Sequence, residues 1–511
     1  MNSGDTSNES IYDIFIAGGG INGCGIARAA QGSGFSVCLA EMGDLGSATS
    51  SGSTKLIHGG LRYLEHYDFK LVRKALIERE KLWAIAPHII HPLRFILPLH
   101  KGMRPGWIIR LGLFIYDHLG GRKLLPGTRT VNLMRDPTGE VLKDQYVKGF
   151  EYSDCWVDDA RLVVLNARDA ANRGAEILPQ TRVISAQREK DIWVITTRDQ
   201  HGEIQVHRSR LLINATGPWV DNFLTDTLNK PEIKSIRLVR GSHIVVNKLF
   251  DHDRCYIFQN ADGRIVFAIP YEEDYTLIGT TDCDFEGDPR DAKISAEETA
   301  YLCESVNNYF KKQLTPADII WSYSAVRPLF DDGNNKAQAA TRDYSIKTES
   351  IGGKLALLNI YGGKITTYRE LADKTMQLVG RSLNRNMTSW SATAPLPGGD
   401  FAVDEFEKQV SLLKQDYAFL SLLQAKRLIR LYGTRARVIL GETQDKEDMG
   451  RFFGGSLFEV EVRYLIEQEW AVCAEDILWR RTKEGLRLSA TEIDELERFV
   501  TAKCKSLLQI E

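Results

Sequence analysis

Gly18, Gly20 and Gly23 stand in the spacing G-x-G-x-x-G, directly after the apolar run Ile11 to Ala17 and at the mouth of a helical stretch. At a strand-to-helix turn of this kind the missing side chains let the backbone approach a pyrophosphate, while the helix N-terminus faces its charge. Ile21 and Asn22 fill the positions between the last two glycines and belong to the same contact. Glu41 follows 21 residues after Gly20, at the end of a second apolar run, where a carboxylate accepts hydrogen bonds from an adenosine ribose. Together these residues point to a dinucleotide, and the spacing leaves FAD and NAD equally open.

The elements that position them begin with a βαβ unit made of residues 11–17, the glycine turn, residues 26–30 and residues 35–40. Residues 69–86 carry Val72, Ala75, Leu76, Leu82, Trp83 and Ala86 at helical spacing, and Pro87 ends that helix. From about 190 to 280 the texture changes to short β-rich runs (192–197, 210–215, 243–247, 264–270 and 275–281), which read as sheet in two places. Ser295 with Glu298 three residues later predicts a capped helix start, followed by another apolar run at 355–364. The Pro and Gly cluster at 394–400 reads as a linker, and the amphipathic patterns beyond it predict an all-helical terminal domain.

Composition sets limits on function. The chain has 511 residues, 43% of them hydrophobic, which is globular and excludes disordered or collagen-like classes. Its 65 Lys and Arg against 68 Asp and Glu give a formal charge of -3, so no overall basic field exists to hold nucleic acid and any anion site must be local. The eight Cys contain no C-x-x-C pair, which argues against a zinc ribbon or redox dithiol, predicts no metal and fits a reducing compartment. The first ten residues are polar and unlike a secretory signal. No apolar run reaches the roughly 18 residues of a membrane-spanning helix; the best candidate, Trp107 to Tyr116, is interrupted by Arg110.

Motif segments spread along the chain choose between the cofactors. TSSGSTKLIHGGLRYLEHYDF (49–69), GFEYSDCWVDDARL (149–162), NATGPWV (214–220), GSHIVV (241–246), GTTD (279–282), SAVRPL (324–329), TRDY (341–344) and YGGKITTYRELA (361–372) together resemble the FAD-dependent glycerol-3-phosphate dehydrogenases. The resemblance implies an α/β fold: a Rossmann-like FAD-binding domain of the glutathione-reductase type, an antiparallel β-sheet substrate cap and an all-α C-terminal domain. Its expected boundaries are 1–393 for the FAD domain with an interleaved cap, mainly about 80–150 and 225–330, and 394–511 for the helical domain. It further implies oxidation of sn-glycerol 3-phosphate to dihydroxyacetone phosphate, with electrons passed to a membrane quinone, and leaves room for a homodimer.

Such a substrate needs cations for its phosphate and a proton acceptor for its secondary hydroxyl. By position in the resembling motifs, Arg62, Tyr63, Arg264 and Arg327 are the expected substrate contacts. Of ten histidines, His58 and His243 lie in these motifs; His243 is the first choice for the base and His58 for a flavin contact, and a core histidine bonded to backbone is the alternative for each. Lys364, after Gly362 and Gly363 and before Thr366 and Thr367, is placed to stabilise negative charge on a reduced flavin. The polar run Thr49, Ser50, Ser53, Thr54, Lys55 and the adjoining Leu56 suit pyrophosphate and isoalloxazine contacts, and Thr216 and Gly217 a second backbone approach.

Between Lys101, Arg104 and Arg110 on one side and Arg122 and Lys123 on the other, residues 107–115 carry an apolar aromatic stretch. This suits a helix lying in an anionic headgroup layer, and a buried core helix would look alike. The resemblance favours a cytoplasmic protein attached peripherally to the inner face of the cell membrane. Rival readings are a soluble glycerophosphate or amino-acid oxidase that uses oxygen, and a non-catalytic nucleotide-binding protein.

Overall fold

The apolar run Ile11–Ala17 (β1) is buried over its last five residues because it is paired on both sides, parallel to Val37–Ala40 (β2) and to Ile204–Asn214. A strand covered on both faces needs no polar alternation, which is why Ile14, Phe15 and Ile16 follow one another. Helix α1, Ile21–Gln31, connects β1 to β2. The computed structural model describes residues 11–121, 123–231, 234–330, 343–351 and 354–508. Arg122, the ten N-terminal residues, and Thr341 and Arg342 of the TRDY motif therefore lie outside the described residues.

The first sheet runs Ser345–Ile351, Lys354–Tyr361, Ile204–Asn214, β1, β2, Glu176–Leu178, with Thr181–Glu189 and Ile192–Asp199 added antiparallel beside Ile204–Asn214. Helix α1 packs against Asp159–Asn172 and Tyr368–Ser382. On another side, Val183, Trp193 and Ile195 cluster with Phe15, Cys38 and Leu212. This is the expected Rossmann-like body.

The second sheet has ten strands and contains the predicted runs at 243–247, 264–270 and 275–281. Most neighbours are antiparallel, but Cys255–Gln259 lies parallel to Ile90–Pro98, so the cap is mixed rather than wholly antiparallel. The two strands reach the sheet from separate chain segments, with no hairpin to force opposite directions. This sheet takes in Leu56–Ile57, Lys148–Val157 and Ile319–Phe330. Helix α2, Phe69–Ile85, is capped by Asp68 and packs on helix α3, Gly106–Leu119. The Ser295–Glu298 capping box forms as read.

The C-terminal region has its own apolar core, among Leu413, Ile429, Leu457, Leu465 and Leu496, and is largely helical. A short hairpin, Phe452–Gly454 with Leu457–Phe458, interrupts it. Gly454 and Gly455 take positive φ angles of 109° and 57° in that turn, a geometry that helical patterning does not encode. Buried charge joins this region to the rest: Arg161 pairs with Glu469, Arg481 with Asp44 at 2.7 Å, and Lys483 with Asp158 at 3.2 Å. Trp479 stacks on Trp321 at 4.2 Å between ring centres. Among the described residues no helix is long and apolar enough to cross a membrane.

Candidate active site

A cavity of about 640 Å³ is lined by residues of both sheets, among them Glu41, Thr181–Val183, the N-terminus of α1, His58, Tyr63, Arg327 and Lys364. Glu41 follows β2 and Lys364 follows Lys354–Tyr361, three strands apart in the first sheet, which sets the cavity's two ends. Gly18 leaves β1 at φ 110°, and a Cβ there would fall 2.5 Å from the Ala215 carbonyl oxygen. A Cβ on Gly23 would fall 1.9 Å from the Gly18 oxygen, so this turn closes only without side chains. Helix α1 has no side-chain cap from Gly20; the Ile21 N–H donates to Ser50 Oγ at 3.0 Å. Asn22 donates to the Gly362 carbonyl at 3.1 Å, and its Oδ1 has no partner among the described residues.

Glu41 is tied down by backbone: the N–H groups of Gly19 and Gly43 donate to its carboxylate at 2.6 and 2.9 Å. Desolvation nevertheless raises its pKa above the ordinary carboxylate value, against the pull of those two donors. Thr216 and Gly217 line the cavity just beyond the strand, with the Thr216 hydroxyl on Asn214 Oδ1 at 2.7 Å. Gly363 and Thr366 line it from the turn before Tyr368–Ser382, whereas Thr367 is buried behind. Thr49, Ser50, Ser53 and Leu56 also reach the wall. Lys55 does not: its Nζ is buried on Asp159 at 2.7 Å and on the Ser51 carbonyl at 3.1 Å, where it holds the loop from behind.

At the far end Lys364 lies over the Tyr63 ring, 3.6 Å from its centre. Arg327, on the strand Ile319–Phe330, pairs with Asp282 and donates to Thr280 Oγ1 at 2.9 Å. His58 stands in the wall, its backbone N–H on Thr366 Oγ1 at 3.3 Å. His243 is fully buried one layer back: Nε2 lies 2.9 Å from Thr54 Oγ1, its ring stacks on Tyr323 at 4.8 Å, and only Thr54 reaches the cavity. Burial, then the charges of Arg327 and Lys55, hold its pKa well below the ordinary histidine value.

Two expected substrate contacts are not brought to this wall. Arg264 sits in the turn before Ile265–Tyr271, bonded to Asp262 at 2.7 Å and lying over the Tyr301 ring at 3.6 Å. Arg62, half-buried in the short helical turn Leu61–His66, does not line the cavity. Sequence reasoning passed over Asp282, Asp159 and Tyr323, which steady Arg327, Lys55 with Ser53, and His243. The first two lie inside the quoted GTTD and WVDDARL segments, so the signal was present without a role attached; Tyr323 lies just outside SAVRPL.

The donor set suits FAD: a carboxylate at one end, backbone N–H groups and a bare helix N-terminus in the middle, and cations with a histidine at the other. The comparisons agree. Residues 13–407 match the family described as FAD dependent oxidoreductase, and residues 389–502 the C-terminal domain of alpha-glycerophosphate oxidase. D-erythritol 1-phosphate dehydrogenase of Brucella abortus (strain 2308) is 50% identical over 481 residues, 94% of this chain and 96% of that protein. Glycerol-3-phosphate dehydrogenase of Pseudomonas aeruginosa is 48% identical over 493 residues, 96% of both. The structure of glycerol-3-phosphate dehydrogenase from Bacillus halodurans complexed with FAD matches with a TM-score of 0.76 at 25% identity, covering 98% of this chain and 94% of that one. The chain belongs to the FAD-dependent glycerol-3-phosphate dehydrogenase family of flavin oxidoreductases.

Proposed function

We propose that the protein oxidises the secondary hydroxyl of a small phosphorylated polyol, sn-glycerol 3-phosphate to dihydroxyacetone phosphate in the first instance, and passes the electrons to a membrane quinone. The observation that carries this reading is that Arg327, Lys364, Tyr63 and His58 line one cavity on the side of Lys354–Tyr361, three strands along the sheet from Glu41. Lys364 lies over Tyr63, His58 is bonded to Thr366, and the Pro328 carbonyl approaches Gly362. Bound FAD supplies the two-electron acceptor. Arg327, its fork steadied by Asp282 and Thr280, is placed to hold phosphate, and Lys364 to stabilise negative charge as it develops. His58 lies at the wall and is placed to take the hydroxyl proton, because geometry ranks ahead of pKa in choosing a base. His243, kept neutral, orients the Thr54 hydroxyl toward the same space and acts through it. An amino-acid oxidase would use an arginine such as Arg327 for a carboxylate; the substrates named for the relatives favour phosphate.

The relatives divide between glycerol 3-phosphate and erythritol 1-phosphate as named substrates. Anaerobic mixing of the holoenzyme with glycerol 3-phosphate, erythritol phosphates and unphosphorylated glycerol, while the visible flavin band is followed, tests the reading. Rapid bleaching by a phosphorylated polyol and none by glycerol is the expected result; bleaching by an amino acid instead would overturn it. Oxygen and a soluble quinone offered to the reduced protein then identify the acceptor.

Attachment to an anionic membrane is part of this proposal. In α3, Trp107, Leu111 and Phe114 are 71%, 51% and 52% exposed on one stripe while Leu113 and Tyr116 are buried, so the apolar face is not spent on the core. Lys101, Arg104 and Lys123 flank it. Co-sedimentation with vesicles containing anionic lipid, lost in a Trp107→Ser/Phe114→Ser variant, is the check.

A further inference from the structure

The loop after β2 has two sides. Residues 41–43, 46–50 and 52–54 line the cavity, while Asp44 and Leu45 turn into the interior. The Asp44 side chain, 1% exposed, receives both arms of the Arg481 guanidinium at 2.7 and 2.8 Å and is paired with Arg480 as well. Arg481 is fixed in turn by the Glu469 carbonyl at 2.7 Å, and Arg480 by Asp476. Both arginines belong to the C-terminal helical region, which contributes no residue to the cavity wall. The region therefore touches the cofactor loop from behind, at a point three residues from Glu41.

The Ser47 N–H holds the Asp44 carbonyl and Leu45 beside it is buried in the core, but the bonds of the Asp44 carboxylate go to Arg480 and Arg481. A carboxylate taken out of water must be paired, and two guanidiniums supply that pairing at a cost only their own anchors repay. The loop's cavity side hangs on the same peptide units: Gly43 N–H bonds Glu41, Gly46 N–H bonds the Gly19 carbonyl at 3.1 Å, and Ser47 N–H the Asp44 carbonyl at 3.1 Å. Asp44 and Glu41 also act on each other as like charges, so the arginines spare Glu41 a neighbouring unpaired anion. We infer that Arg480 and Arg481 are positioning residues for the adenosine half of FAD, through Asp44, so that the C-terminal region governs how tightly the cofactor is held.

The test uses holoenzyme and reads cofactor release, the rise in FAD fluorescence after dilution, for Asp44→Ala, Arg480→Gln and Arg487→Ala. Arg487 anchors the same C-terminal region to the cap, on Asp274 at 3.1 Å, without touching the loop. Release is expected about tenfold faster in Asp44→Ala, about threefold faster in Arg480→Gln and unchanged in Arg487→Ala. ADP, which probes the adenosine half alone, is expected to compete for the apoprotein correspondingly less well in the first two variants. Flavin still bound should be reduced by substrate at the wild-type rate, which separates positioning from general damage. Wild-type release in both Asp44→Ala and Arg480→Gln would overturn the inference, as would equal acceleration in Arg487→Ala. Should Asp44→Ala fail to fold, Arg480→Gln, which leaves the Arg481 fork in place, decides the matter alone.

Discussion

The two ends of the cavity are built from different material. Around Glu41 and the glycine turn nearly every polar contact is a backbone N–H, and the residue types matter because they leave space. Around Arg327, Lys364, His58 and Thr54 the contacts are side chains, steadied by partners on other strands such as Asp282 and His243. A backbone-built end is rigid and intolerant of added atoms; a side-chain-built end tolerates substitution structurally and loses chemistry instead.

Gly23→Val should have the largest effect. With 1.9 Å available to a Cβ the turn cannot close, so the purified variant is expected to lack the visible flavin band entirely. A yellow Gly23→Val protein would break the comparison. Next comes Arg327→Ala, which should retain FAD while kcat/KM for the phosphorylated substrate falls by about 100-fold or more, the scale of losing a charge-assisted contact to a dianion. Third, His58→Gln should slow flavin reduction by about 100-fold with FAD retained, whereas Thr54→Val should cost about tenfold and Thr54→Ser almost nothing, measured by stopped-flow reduction. Equal losses in Thr54→Val and His58→Gln would move the proton path to His243.

The smallest effect is on stability. His88 and His243 are buried and His91 is half-buried, and desolvation first, then nearby cations, lowers the pKa of each, with His88 down at about 3. Their folded pKa values lie below the unfolded value of about 6.5, so this contribution is intact above that pH and is lost as pH falls toward the folded values. Each can steepen the loss by at most about 1.4 kcal/mol per pH unit. The urea midpoint of His243→Gln should therefore fall less steeply below about pH 6.5 than that of the wild type.

The same contrast explains what could be read from the chain alone. Strands, the glycine turn and Glu41 were legible because a strand, a tight turn and a short span constrain residue types locally. His243 is expected at the reacting centre because it lies in the motif segment GSHIVV. Whether a strand residue faces a cavity or the layer behind depends on its cross-strand neighbours, here Gly279 and Tyr323, and these belong to other segments. Arg264 is held off the cavity wall for a nearer reason: the turn Asn260 to Arg264 closes on itself and brings Asp262 within reach first. In α3 periodicity was clear, and only the packing of α2 against it showed which apolar residues were left over.

The order in which the chain visits the two sheets carries a consequence for its evolution and its engineering. It builds part of the first sheet, crosses to the cap, returns, crosses again and comes back to finish. Replacing the cap with that of a relative would thus require four simultaneous splices, each in register with a dinucleotide fold that must still close. A new substrate preference is reached far more readily by point changes on cap strands already in place, which leaves proteins of this architecture prone to diverge in what they oxidise while keeping one scaffold.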